Sequence, residues 1–271
     1  MIPRAHVTAW RATAPWPDDS QVEQDLVVSR ALVDMFNNAD LARAMAFRGG
    51  TALHKLFFER PGRYSEDIDL VQLEAGPIGP AIDSIREGLD RWLGRPRYKR
   101  GQGRVTLIYR FETTSKPVHR MRLKVEINTR EHFAVLGCQP TKFAVQNPWF
   151  SGAADITTYR LEELLATKLR ALYQRKKGRD LFDLWHALSS LPVDDAIVVE
   201  CFGRYLAHGG VTVSRAEYEA NLTDKLRSPV FLEDIQPLLS TGAAYDVAAA
   251  DEIVRSRFIE KLPGDPWKGA G

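Results

Sequence analysis

The stretch DIDLVQL, residues 67–73, sets the tightest limit on what this chain can fold into. Residues two apart on a strand point to one face. Asp67 and Asp69 therefore project together, while Ile68 and Leu70 turn the other way, toward a core. Two carboxylates this close repel one another and raise a pKa unless a cation sits between them. Mg²⁺ suits such a pair, because it takes hard oxygen ligands, usually one or two carboxylates plus substrate phosphates. The alternative is that both side chains merely solvate a strand. The poor strand preference of Asp and the added polarity of Ser65 and Glu66 argue against it.

The residues just upstream read as a strand, AMAF, that ends at Gly49-Gly50, with Thr51 as a candidate N-cap for a helix TALHKLFFE. The helix stops near Pro61-Gly62. Glycines allow close approach of the backbone to an anion, and a helix start presents free N–H groups with partial positive charge. Gly49, Gly50 and Thr51 thus form a candidate phosphate turn, with the Thr51 hydroxyl as an added donor. The turn lacks the Gly-Lys-Ser/Thr ending of a P-loop.

Further along, the apolar residues of 20–43 recur at helical spacing, and Ser20 with Glu23 matches a capping box. The segment before Asp18, rich in Pro and Trp, reads as irregular. A loop, EAGPIGP, leads to a helix over 82–93. RVTLIYRFE and HRMRLKVEIN alternate and are joined by a polar turn, which predicts an antiparallel hairpin; TKFAVQN adds a short strand. From Thr158 onward the pattern is helical: LEELLATKLRALYQRK, a Gly-Arg break, DLFDLWHALSSL, and a helical remainder. The composition shift around NPWFSGAAD places a boundary between a sheet-bearing part, residues 1–155, and a helical part, residues 156–271. The fold class is α+β, a mixed or antiparallel sheet with flanking helices followed by helices alone.

Glu126 shares a face with Lys124 and Asn128 in LKVEIN. If that strand lies beside DIDLV, Glu126 completes a three-carboxylate cluster; otherwise it is an exposed strand residue paired with a basic neighbour. In the helical part Lys168 lies beside an apolar stripe and can reach inward to neutralise a triphosphate, whereas Arg175 and Lys176 are expected to face solvent. Asp180 and Asp183 share a helix face. Asp180 follows a break, so N-capping and a functional role both stand open. The six histidines are scattered singly and form no catalytic pattern.

The net charge of +2 conceals an asymmetry. Residues 86–130 carry thirteen Lys/Arg against four Asp/Glu, and residues from 194 to the end carry eight against thirteen. A basic middle fits a face that meets a polyanion, or basic side chains that simply solvate a sheet. No apolar run approaches the roughly 20 residues that span a bilayer, and the first thirty residues lack a signal-peptide pattern. Cytoplasmic residence is the expectation. Cys138 and Cys201 lie far apart with no metal-type spacing and read as reduced thiols.

Taken in order, GGTALHKLF, RYSEDIDLV, LKVEIN, EELLATKLRAL and GRDLFDLWHAL resemble the AbiEii/AbiGii toxin family, nucleotidyltransferases of the DNA polymerase β superfamily. The resemblance runs from about Phe47 to Leu188. It implies a polymerase-β-like core with a helical C-terminal part, and a Mg²⁺-dependent enzyme (Mn²⁺ in its place) that uses an NTP and releases pyrophosphate. It implies that Gly50 and Thr51, beside Gly49, hold the triphosphate, with Thr51 where members commonly carry Ser. Asp67 and Asp69 become the metal pair, Glu126 the third carboxylate, Lys168 the helical lysine near the phosphates, and Asp180 a later acidic residue of the site. Relatives act as toxins in phage defence or growth arrest, usually beside an antitoxin that is often a winged-helix repressor. Some add nucleotides to tRNA 3′ ends. The expected acceptor is therefore RNA, foremost a tRNA 3′ end. Two alternatives remain: a protein or small-molecule hydroxyl as acceptor, or a catalytically silent module that binds RNA or antitoxin.

Overall fold

The computed structural model describes residues 2–114 and 116–269. The chain divides into two compact units, Met1–Tyr159 and Arg160–Gly271.

The first unit is built on seven strands: β1 Met45–Arg48, β2 Asp67–Gln72, β3 Arg97–Gly101, β4 Arg104–Glu112, β5 Arg120–Asn128, β6 Cys138–Asn147 and β7 Phe150–Tyr159. Their order is β3-β4-β5-β2-β1-β7-β6. The sheet is mixed: β2 runs parallel to β5 and β1 parallel to β7, and the other neighbours are antiparallel. Its helices are α1 Arg4–Trp10, α2 Asp19–Phe36, α3 Ala39–Ala44, α4 Gly49–Leu56 and α5 Gly79–Leu93. Helix α2 packs across β5, β6 and β7, and α5 packs on α2, α3 and β4. Between them lie Val22, Leu26, Ala31, Leu32, Ile85, Leu89, Leu107, Leu123, Val125 and Ile127, all of them buried. Alternation along each strand turns these apolar positions inward and leaves the opposite face to polar side chains.

Several local expectations change. Segment 20–43 is two helices: the first ends at its C-cap Asn37, and Asn38 caps α3 by accepting from the Leu41 amide at 3.0 Å. Helix α2 is capped by Asp18, which accepts from the Ser20 amide, and not by a Ser20–Glu23 box. Glu23 is buried instead and accepts from the Thr114 amide at 2.9 Å. The start of the chain is helical in α1, where Trp10 donates its indole N–H to Asp25 at 2.8 Å. Strand β7 occupies the segment where composition shifts, and it continues through residue 155 to Tyr159. Strand β3 escapes sequence reading because all five of its residues are exposed and no apolar alternation marks it.

The second unit is helical: α6 Leu161–Gln174, α7 Gly178–Ser190, α8 Asp195–His208, α9 Arg215–Leu226, α10 Pro229–Glu233 and α11 Val247–Arg257. Asp194, Ser214 and Asp246 cap α8, α9 and α11, and Ser214 with Glu217 forms a complete capping box. Phe182, Phe202, Tyr205, Tyr218, Phe231 and Phe258 fill its core. Two buried polar groups find partners: Tyr205 donates to Glu163 at 2.7 Å and Tyr218 to the Leu169 carbonyl at 2.8 Å. Gly178 opens α7 in contact with α10, where an added Cβ would lie 2.1 Å from the Phe231 carbonyl oxygen. Cys138 and Cys201 are both free thiols.

Candidate active site

The parallel pairing of β2 with β5 builds the first unit's polar cluster. Its register sets Asp67 opposite Lys124 and Asp69 opposite Glu126. Paired residues share a face, so Asp67, Asp69, Lys124 and Glu126 lie on one face of two neighbouring strands. On the other side of β2, Arg48 stands opposite Asp69 and pairs with Glu131 at 2.6 Å. The cluster is half-buried on the sheet face away from α2 and α5.

Each member has a distinct electrostatic setting. Lys124 Nζ lies 3.2 Å from Asp67 Oδ1 and so supplies local countercharge. That oxygen is buried and has no hydrogen-bond partner of good geometry. Glu126 turns to Arg104, 3.2 Å away. Among the described residues no three His, Cys, Asp or Glu side chains are grouped to hold a metal ion. The Asp67/Asp69 pair by itself fits Mg²⁺, which needs only one or two carboxylates when substrate phosphates complete the shell. The oxygen of Asp67 without a hydrogen-bond donor fits the same donor role. Glu126 is in place by register, but its carboxylate is committed to Arg104.

Gly49 ties this cluster to α4. Its φ is +82°, a conformation that L side chains rarely adopt, and an added Cβ would sit 2.5 Å from Asp69 Oδ2. Both facts demand glycine. The first helical residues are Gly49, Gly50 and Thr51, and no side chain caps them. The helix start, where the free amides and partial positive charge of an N-terminus favour an anion, lies beside Asp69. Thr51 is the third residue of α4, not its cap. Its hydroxyl donates to the Asp67 carbonyl at 2.6 Å and contacts Ser65 Oγ at 2.7 Å. A threonine has one O–H to give, so Thr51 fastens the start of β2 to α4 and holds no free donor for a phosphate. Gly49→Ala is expected to lower nucleotide incorporation about a hundredfold, since displacing Asp69 by an ångström suffices for that loss. Retained activity above about a third of the parent's would show that the contact does not place Asp69.

A separate cavity of about 220 Å³ in this unit is lined by Trp10, Trp16, Asp25, Lys55, Thr51 and Ser65 among others, and by none of Asp67, Asp69 and Glu126. The carboxylates thus stand on the open sheet face and outside this cavity.

The helical unit holds the other two sequence-derived candidates together. Lys168 is buried on α6, with Nζ 3.2 Å from Asp180 Oδ1 and 2.7 Å from Asp183 Oδ2. Arg175 grips Asp180 with two contacts, at 2.6 and 2.7 Å. Asp180 is not a cap: Lys177 occupies the N-cap position of α7, and it is the Asp234 carboxylate that accepts from a first-turn amide, that of Arg179, at 3.3 Å. Burial pushes the Asp180 carboxyl up, but Lys168 and Arg175 outweigh it and hold it below the usual carboxylate range. Arg175 was expected to face solvent; its side chain is half-exposed, yet its guanidinium is directed at Asp180. Asp183 and Arg175 are the partners that sequence reasoning missed as part of this group. The i, i+3 spacing of Asp180 and Asp183 was the available signal, since it puts both on the face that meets Lys168.

A family model described as the nucleotidyl transferase AbiEii toxin of type IV toxin–antitoxin systems matches residues 30–255. The chain belongs to this family. Membership makes it a nucleotidyltransferase toxin of a type IV toxin–antitoxin system, with an NTP substrate and an antitoxin partner. Among solved structures, the chain is similar to MenT4, a nucleotidyltransferase toxin from Mycobacterium tuberculosis H37Rv, at 21% identity and a TM-score of 0.66, over 97% of this chain and 91% of that one. It is also similar to JHP933 from Helicobacter pylori at 18% identity and a TM-score of 0.57, over 90% and 93%. At these identities the likeness shows the fold, an α+β nucleotidyltransferase core with added helices. Comparison with curated proteins returns no match. The AbiEii match extends well beyond the 47–188 span that carried the sequence resemblance, into the second half of α2 on one side and through α8 into α11 on the other. Among the described residues no helix is long and apolar enough to cross a membrane.

Proposed function

We propose that this AbiEii toxin transfers a nucleoside monophosphate from an NTP to the 3′-hydroxyl of an RNA, foremost a tRNA, and so blocks translation. The observation that carries the reading is Asp67 and Asp69 side by side on one sheet face, beside the start of α4. In the reaction an oxygen–phosphorus bond forms between the acceptor hydroxyl oxygen and the α-phosphate, the α–β phosphoanhydride bond breaks, pyrophosphate leaves, and the hydroxyl proton passes to solvent. The Gly49 and Gly50 amides would bind phosphate oxygens at the helix start. Asp67 and Asp69 would hold Mg²⁺, or Mn²⁺ in its place, with Glu126 as third carboxylate once Arg104 releases it. When bound, the ion supplies charge neutralisation on the triphosphate and acidifies the attacking hydroxyl. Lys124, 3.2 Å from Asp67, would add positive charge beside the phosphates.

The resemblance assigns Lys168 to the phosphates and Asp180 to the site. The helical unit supports a positioning role for Asp180 and Asp183, which hold the Lys168 ammonium between them. The antitoxin is proposed to be a winged-helix regulator, and the pair to act in phage defence in the cytoplasm.

Incubation of the protein with total RNA and each labelled NTP tests the reading. Label is expected in the tRNA band and is expected to need a divalent cation. Label confined to protein or to low-mass compounds, or its absence from every RNA fraction, would overturn the RNA acceptor.

A further inference from the structure

The face that carries the carboxylates does not end with them. Strand β5 continues from Glu126 through Lys124, Arg122 and Arg120, each two residues from the last and so on the same face. Across β4 the register sets Ile108 opposite Lys124, Arg110 opposite Arg122 and Glu112 opposite Arg120. On β3, Arg97 and Lys99 stand opposite Ile108 and Thr106 and join the same face. Of the basic residues counted in 86–130, the fold therefore gathers Arg97, Lys99, Arg110, Arg120, Arg122 and Lys124 into one stripe. With about 3.4 Å per residue, the stripe runs about 20 Å from Glu126 to Arg120.

One pair in the stripe is unfavourable for the protein alone. Arg110 and Arg122 are both exposed and directly opposite on neighbouring antiparallel strands. Like charges so placed destabilise a sheet. No ion pair joins either of them to a carboxylate among the described residues, whereas Arg104 and Arg120 have Glu126 and Glu112. The rung also lies past the paired ends of β2 and β3, on a two-stranded ribbon open to solvent on this face. An external anion that bridges both guanidiniums removes the repulsion. A chain of phosphates satisfies successive rungs where a single anion satisfies one.

We propose that this stripe is the track for the phosphate backbone of the RNA acceptor, with Arg110 and Arg122 as its clamp and the 3′ end led along β5 toward Asp67 and Asp69. This rests on the RNA-acceptor reading and adds the surface that holds the substrate. The stripe is mostly cationic, with Glu112 at one end, Thr106 and Glu126 at the other and Ile108 as an apolar member, so it contacts backbone and reads no base. Binding is sequence-tolerant and falls steeply with salt.

The test measures binding without NTP, by anisotropy of a fluorescein-labelled single-stranded RNA, so that it does not depend on catalysis. Arg110→Glu places an acid opposite Arg122 and keeps the fold through an opposite-charge pair. It is expected to weaken RNA binding at least about tenfold while melting no lower than the parent. Arg110→Ala with Arg122→Ala is expected to reduce the slope of log affinity against log salt by about 1.4. Arg4→Ala with Arg60→Ala, an equal loss of exposed charge elsewhere, is expected to leave affinity within about twofold. Unchanged RNA binding by Arg110→Glu overturns the track, as does an equal loss in the Arg4/Arg60 control. If the track variants lose RNA binding but labelled nucleotide never enters RNA, the acceptor reading fails and the RNA-binding track stands. If Arg110→Glu labels and binds RNA as the parent does, the track fails and the acceptor reading stands.

Discussion

Asp69→Asn is expected to lower nucleotide incorporation at least about a thousandfold, or about 4 kcal/mol of transition-state stabilisation, with only a small loss of thermal stability. The two halves of this expectation have separate causes. Asp69 abuts Gly49 at the start of α4 and stands opposite Glu126 on β5, so its charge sits where a metal and a triphosphate would be held. Its removal costs the reaction. It costs the fold less, because the amide has the same shape and what is lost is one of the negative charges that face Arg48, which keeps Glu131. The check is incorporation of labelled nucleotide alongside a melting curve. A variant that keeps more than a tenth of the parent activity would remove Asp69 from the metal site. Glu126→Gln is the companion: because Glu126 already pairs with Arg104, its loss is expected to be smaller, about ten- to a hundredfold.

The second large effect is on stability. Asp180→Asn is expected to cost about 3 kcal/mol near neutral pH, as removal of one partner from a buried ion pair does. Asp180 is fully buried and contacts both Lys168 and Arg175. The amide keeps the shape but leaves Lys168, itself buried, with Asp183 alone. Burial raises the Asp180 carboxyl, and the two cations more than reverse that, so its folded pKa lies below the unfolded value of about 3.9. Stability from such a group is complete above the unfolded pKa and is lost as pH falls through the folded one. Parent and variant should therefore differ fully above about pH 5 and converge in strong acid. Urea unfolding followed by circular dichroism at several pH values reads this directly. A neutral-pH difference under about 0.5 kcal/mol, or one that persists unchanged into strong acid, would show that the ion group is not what holds α6 to α7.

Much of the first unit was legible in the sequence because its signals are local. Alternation marked β2, β4 and β5; helical spacing marked α2, α4 and α5; the Gly-Gly turn marked the start of α4. What failed were elements whose residues carry no local signature. Strand β3 is exposed throughout and survives only by pairing with β4. Strand β7 reads as a composition shift because FSGAADITTY mixes small and polar residues, yet β1 and β6 flank it, and buried Thr158 donates its hydroxyl to the Phe47 carbonyl. Thr51 looked like a cap from its place after two glycines, but a helix can begin earlier when glycine supplies the positive φ. The capping pattern at Ser20 failed for a related reason: Asp18 caps first, and Glu23 is drawn to the loop after β4.

For the site, the pairing of Asp67 with Asp69 follows from the sequence alone, since a two-residue repeat on a strand is a property of adjacent backbone. So do the Gly49-Gly50 turn and the shared helix face of Asp180 and Asp183. Everything that joins distant segments was decided by tertiary structure. Residues 67 and 124 are 57 positions apart, and only the parallel pairing of β2 with β5 brings Lys124 to Asp67 and Glu126 to Asp69. A shift of that register by one residue would have turned Glu126 to the other face. The same pairing rules put Arg110 against Arg122, where the sequence showed only a run of basic residues. Register is set by which side chains α2 and α5 bury, a long-range packing condition that short-range periodicity does not contain.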